Sequence, residues 1–204
     1  QNPQGIVYFN VFDDHSKSFP VQNITNFTKI NYQNPDNGLI EYCSTSGNIT
    51  HINNGGFSST GGIIGRCSTQ PYKQQIIKCK SNARVNGVDN VGGIVGRIDE
   101  DSSADTTVYD CYTDGGQVKG RNNVGGIVGY NGGGRVERTY SSATVIAGRQ
   151  YVGGIMGNGY GNSAVPHASF ALCHKIQRTE GTANLFGRIG GKAGNYQNNY
   201  ALNT

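Results

Sequence analysis

The sequence predicts an all-β protein, a parallel β-solenoid of about five coils with three short strands per coil and a period of about thirty residues. Three observations carry this. One glycine-rich motif recurs along the chain, alternating apolar segments stand upstream of it, and the composition disfavours helix.

The motif reads Gly61-Gly62-Ile63-Ile64-Gly65, Gly92-Gly93-Ile94-Val95-Gly96, Gly125-Gly126-Ile127-Val128-Gly129 and Gly153-Gly154-Ile155-Met156-Gly157. Successive first glycines lie 31, 33 and 28 residues apart, and a degenerate fifth copy, Ala183-Asn184-Leu185-Phe186-Gly187, follows after another 30. Upstream, residues 76–85 and 136–145 alternate with period 2, and looser versions lie at 39–49, 108–118 and 170–176. Each unit therefore parses as an alternating segment, a Gly-containing turn and a Gly-Gly-Ile-Val-Gly segment.

Such a unit cannot bury its apolar face alone. Stacking solves this, because each strand then pairs in parallel with its equivalent about 4.8 Å away and like side chains form internal ladders. Ile63, Ile94, Ile127, Ile155 and Leu185 are expected in one column, and Val85, Val118 and Val145 in another. The paired glycines would make a sharp corner or let backbones approach closely. With 32 Gly in 204 residues, helix would cost about 1 kcal/mol at each interior glycine.

The Gly-Gly-Ile-Val-Gly units, preceded by a Cys/Thr-x-Ser-x-Ala-x-Val segment, resemble GLUG repeats over residues 38–190. That resemblance implies a non-catalytic module of bacterial surface proteins, large adhesins and some secreted peptidases. Residues 1–37 and 191–204 fall outside the register and read as an N-terminal cap or subunit-contact segment and a C-terminal cap. The apolar run Ile6, Val7, Tyr8, Phe9, Val11 and Phe12 would be a capping strand or pair with a neighbouring copy, with Tyr196, Tyr200 and Leu202 as its counterpart.

The five cysteines are an odd count. Cys43, Cys79, Cys111 and Cys173 read as one repeat position, with Thr139 in the fourth unit, and form either a buried thiol ladder or disulfides such as Cys67 with Cys79 or Cys43 with Cys79. Their spacing offers no tetrahedral metal site. The histidines, His15, His51, His167 and His174, are scattered, and the acidic cluster Asp99, Glu100, Asp101 and Asp105 lacks the spacing of a calcium loop. Neither a metal nor another cofactor is expected.

The glycine motif recurs in every unit with no helix pattern behind it, so it is architectural and not a phosphate cradle. Asp110, Asp114, Arg135 and Arg138 could gather charge on one face, which leaves a carbohydrate-active β-helix enzyme, a polysaccharide lyase or hydrolase, as the alternative function.

A net charge of +4 without a basic run argues against nucleic acid, and no apolar run is long enough for a membrane span. No signal-like segment opens the sequence, so an exported protein would be read here in its mature form. Three Asn-x-Thr sequons, at Asn23, Asn26 and Asn48, suggest export and glycosylation. The expected protein is a secreted or cell-surface structural or adhesive module, not an enzyme. Its partners would be copies of itself in a head-to-tail filament, or cell-surface glycans and proteins.

Overall fold

The computed structural model describes residues 37–51, 58–67, 73–99, 106–160, 164–181, 185–192 and 196–202, all of them in strands, turns and bends. The apolar run 6–12 and the sequons at Asn23 and Asn26 lie outside the described residues.

The chain winds as a parallel β-solenoid, and each coil contributes to four sheets. The first face stacks Asn37–Glu41, Lys73–Ile77, Thr107–Tyr109, Arg135–Glu137 and Pro166–His167. On the second lie Ser44–Thr45, Lys80–Ser81, Tyr112–Thr113, Tyr140–Ser141, Phe170–Ala171 and Tyr200–Ala201. The third is bent. Its near half begins at Asn48–Thr50, Arg84–Asn86 and Ile176–Arg178, its far half includes Thr60–Gly61, Asp89–Gly92 and Phe186–Gly187, and the long strands Gln117–Gly125 and Thr144–Gly153 span both. Ile64–Cys67, Val95–Ile98, Val128–Asn131 and Met156–Gly159 complete the fourth.

Four coils cross all four faces and a fifth is partial, so the expected five coils of three strands become about four turns of four. The strands of the glycine motif belong to two faces, because the chain leaves the third face at the first glycine and enters the fourth after the isoleucine.

Register partners confirm the inward columns. Ile49 pairs with Val85, Val85 with Val118, Val118 with Val145 and Val145 with Ile176. Ile63, Ile94, Ile127 and Ile155 donate N–H in turn to the carbonyl of the next, and Ile155 donates to Ile189. The fifth rung is therefore Ile189 and not Leu185. Val152 pairs with Phe186 and Gly153 with Gly187, so the degenerate motif is Gly187-Arg188-Ile189-Gly190, four residues further on.

The cross-section has two lobes. One apolar cluster holds Ile76, Ile94, Ile98, Ile127 and Met156 between the first and fourth faces, and a second holds Val85, Val91, Val118, Val124 and Val152 inside the bend of the third. Burying each such side chain contributes about 1.5–3 kcal/mol. Between the lobes the section narrows to a waist, where an inward hydroxyl column, Thr45, Ser81, Thr113 and Ser141, meets the second glycine of each motif. A Cβ on Gly62 would stand 2.6 Å from Ser81 Oγ, and one on Gly126 would stand 2.8 Å from Ser141 Cβ. Three of the four hydroxyls have partners: Ser81 Oγ accepts the Ala83 N–H at 3.3 Å, Thr113 donates to Ser141 Oγ at 2.7 Å, and Ser141 Oγ accepts the Ala143 N–H at 3.4 Å, whereas Thr45 Oγ1 is buried without one.

The corner between the first and second faces is turned by a left-handed residue in every coil. Tyr42, Lys78, Asp110, Arg138, Ala168 and Asn198 occupy it with φ between 48° and 54°. Only Asp110 and Asn198 are residue types that enter this region readily, and the others hold it at a cost of about 1–2 kcal/mol each. Coil-to-coil hydrogen bonds impose the conformation, since Tyr42, Lys78, Asp110 and Arg138 each donate N–H to the carbonyl of the next coil at this corner. A second left-handed column, Asn90, Asn123 and Tyr151, precedes the glycine motif.

Candidate functional site

The solenoid interior holds the cysteines, and its outer faces hold the charged and aromatic groups. The thiol column begins as expected. Ser44 pairs with Lys80 and Lys80 with Tyr112, which brings Cys43, Cys79 and Cys111 into register, and Cys79 N–H donates to Cys111 Sγ at 3.4 Å.

Cys173 does not belong to this column. Tyr140 pairs with Phe170, so the rungs after Cys111 are Thr139 and Ser169, joined by a 3.0 Å hydroxyl contact. Cys173 lies four residues later, in the second lobe, with Sγ 3.3 Å from Ser141 Oγ.

All five cysteines are buried free thiols, and no pair is bridged. Burial and the neighbouring Cys79 push the Cys43 thiol up to about 11, and burial with the nearby Asp99 carboxylate pushes Cys67 to about 12. Cys79 rises as well, through its hydrogen bond to Cys111 and its burial. A neutral thiol is a weak ligand and a poor nucleophile, so these groups act as small apolar fillers. Among the described residues no group of three or more His, Cys, Asp or Glu side chains is placed to hold a metal ion.

The charged residues pair along the outside. Arg138 donates to both carboxylate oxygens of Asp110 at 2.8 and 2.7 Å and lies 3.7 Å over the Tyr109 ring, and these bonds hold the Asp110 carboxyl below its usual range. Arg135 pairs with Glu137 at 2.9 Å. Asp99 accepts from Arg66 at 2.9 Å and from Arg97 at 2.7 Å, bridging two coils. Of Asp110, Asp114, Arg135 and Arg138, only Asp110 and Arg138 pair with each other; Arg135 is held by Glu137, and Asp114, past the second face, accepts from Ser142 Oγ at 3.4 Å.

Of the histidines, His167 Nε2 lies 3.3 Å from Asn198 Nδ2 one coil on, and burial lowers the pKa of His51. His174 is exposed. Asn48 of the third sequon is exposed on the third face.

Outward on the second face runs a feature that sequence reasoning missed. Tyr112, Tyr140, Phe170 and Tyr200 occupy successive rungs. Tyr112 stacks on Tyr140 with centroids 4.7 Å apart, and Phe170 on Tyr200 at 5.2 Å. The signal was present: an aromatic follows the thiol position at one residue's distance in units three to six.

Residues 120–146 match the GLUG motif. In the fold these residues run from the middle of the third face, through the fourth, first and second, and back to the third in the next coil. The GLUG segment is thus one full turn of the solenoid, with its isoleucine, Ile127, in the first lobe and Val145 in the second.

A solved structure described as a "putative immunoglobulin A1 protease" from Bacteroides ovatus resembles the chain with a TM-score of 0.60 and 22% identity. The match covers 79% of this chain and 51% of that one, so the chain spans about half the length of that protein. At this identity the likeness is one of fold. No curated protein matches the sequence. Among the described residues no helix is long and apolar enough to cross a membrane.

Proposed function

We propose that the chain is a non-catalytic extracellular β-solenoid that works as a structural and adhesive module, presenting its outer faces to cell-surface glycans or proteins or to further copies of itself. The carrying observation is the coil-to-coil parallel register, in which inward valines of successive coils pair on both sides of the one register shift in the long third-face strands. Such a stack behaves as a stiff rod, since bending it opens several ladders at once.

The ends of the rod are open strands among the described residues. Tyr200–Ala201 is the last rung of the second face, and Tyr200 is 63% exposed beyond its stack with Phe170. In the filament form of this reading, residues 6–12 of one copy meet this end of the next.

Electron microscopy of the purified protein tests the reading. Regular filaments, lost on deletion of residues 1–12 while the β signal persists, are expected of the head-to-tail form, and a deletion variant that still assembles removes it. Discrete rods that bind a cell surface support the adhesive form, and turnover of a polysaccharide by the purified chain overturns the non-catalytic assignment.

A further inference from the structure

The third face is indented where its near and far halves meet, and a groove of about 340 Å³ lies there, lined by Asn86, Gly87, Val88, Lys119, Gly120 and Arg121. The glycines make the indentation. A Cβ on Gly120 would stand 2.6 Å from Val91 Cγ2, and one on Gly87 would stand 2.8 Å from the same methyl, so the backbone sits as deep as the core of the second lobe allows. One coil further, residues Gly148 and Arg149 form a bulge opposite Arg121: Gly120 pairs with Ala147, whereas Asn122 pairs with Gln150. A bulge re-aims the side chain it carries, here Arg149.

The charge of this face differs from that of the others. Arg84, Lys119, Arg121 and Arg149 are exposed, and no ion pair or side-chain hydrogen bond engages them among the described residues. The arginines of the first and fourth faces are paired in place: Arg66 and Arg97 share Asp99, Arg135 is held by Glu137, and Arg138 by Asp110. One carboxylate, Asp89, stands next to the groove after Val88 and accepts from Asn122 Nδ2 at 2.6 Å, so the groove and its border carry Lys119 and Arg121 against a single acidic group.

We infer that this groove binds an acidic polysaccharide, a chain bearing carboxylate or sulfate groups. The inference rests on the adhesive reading above and names its ligand class. A floor of glycine backbone and Val88 accepts the flat apolar side of a sugar ring, and the cations at the rim meet its charges. Successive rungs stand about 4.8 Å apart, close to the length of one sugar unit, so a glycan lying along the rod meets a new rung with each residue. Strand addition by an acidic peptide is closed off here, because the groove strand Gln117–Gly125 is paired on both sides, and the polyglutamate comparison below tests capture of a peptide by its side chains alone.

The test is titration with a size-defined heparin octasaccharide, comparing Lys119→Gln/Arg121→Gln with a control of equal charge loss on other faces, Lys80→Gln/Arg135→Gln. Circular dichroism and thermal melting establish that both variants fold. The groove variant is expected to bind at least tenfold more weakly at moderate ionic strength, and the control to stay within about twofold of wild type. Equal weakening in both variants overturns the groove assignment in favour of general charge attraction. Polyglutamate or single-stranded DNA binding as tightly as the octasaccharide overturns the ligand class. Shortening of the octasaccharide during incubation would instead overturn the non-catalytic reading, leaving the groove to be judged by the two variants.

Discussion

Ser141 and Gly126 touch across the waist of the solenoid, where a Cβ on the glycine would lie 2.8 Å from that of the serine. The same pairing recurs at Ser81 with Gly62 and at Thr113 with Gly93. The second glycine of each motif is therefore a packing residue, and the two lobes are separated by a contact between a hydroxyl side chain and a bare backbone.

Gly126→Ala is expected to destabilise the protein by about 3 kcal/mol or more, because both the neighbouring glycine backbone and Ser141 would have to move. Gly115→Ala meets no atom within 4 Å and adds only the strain of a side chain at φ +68°, so its cost is expected near 1 kcal/mol. Urea denaturation of the two variants checks the order. Equal costs would mean that the waist opens around the added methyl at little cost, and that the contact does not require the motif glycine.

Ala168→Gly is expected to stabilise the fold by about 0.5–1 kcal/mol, since it relieves a left-handed alanine at φ 48° and loses only part of that gain to unfolded-chain entropy. A rise in melting temperature would agree. A fall would show that the methyl group at this corner contributes more packing than strain.

All five thiols are expected to stay silent toward a disulfide exchange reagent at pH 8 in the native protein, and all five to react in denaturant without a reducing agent. At pH 8 a thiol held at about 11 is ionised in about one molecule in a thousand. Because the folded pKa values of Cys43 and Cys67 lie above the unfolded value of 9.0, their stabilisation is complete below pH 9 and is lost as pH rises through about 11 and 12. The Cys67→Ala variant should lose less stability than wild type between pH 9 and pH 11. A count of three or fewer reactive thiols in denaturant would establish that a disulfide forms.

The lobes and their ladders were legible in sequence because inward positions alternate with outward ones, and the apolar signal at Val85, Val118 and Val145 survives every change in turn length. Cys173 went astray because residue type was followed over position: thirty residues beyond Thr139 stands Ser169, a hydroxyl and not a thiol. Leu185 went astray because the later coil is longer. From Ser141 to Val145 the chain takes four steps and from Val145 to Val152 seven, but their partners take five from Ala171 to Ile176 and ten from Ile176 to Phe186, so a register carried along by residue count slips by four. The left-handed corner at Tyr42, Lys78 and Arg138 carried no sequence mark, because the conformation is imposed there by bonds to the adjacent coil and not by residue preference. The groove escaped notice because Lys119 and Arg121 meet Asn86, Gly87 and Val88 of the preceding coil, and Arg121 meets the bulge at Arg149 of the next, only through the stacking.

The bulge at Gly148 and Arg149 has a bearing on how such a chain can diverge. One residue more on the upper strand leaves Val124 and Val152 paired beyond it, so an insertion at the bend is discharged to the outside before it reaches the next buried position. Deletions and additions there would alter the surface offered to a ligand while the interior stays unchanged. Coils of unequal length can thus be exchanged, duplicated or lengthened one at a time, and binding preference can drift without a penalty in folding.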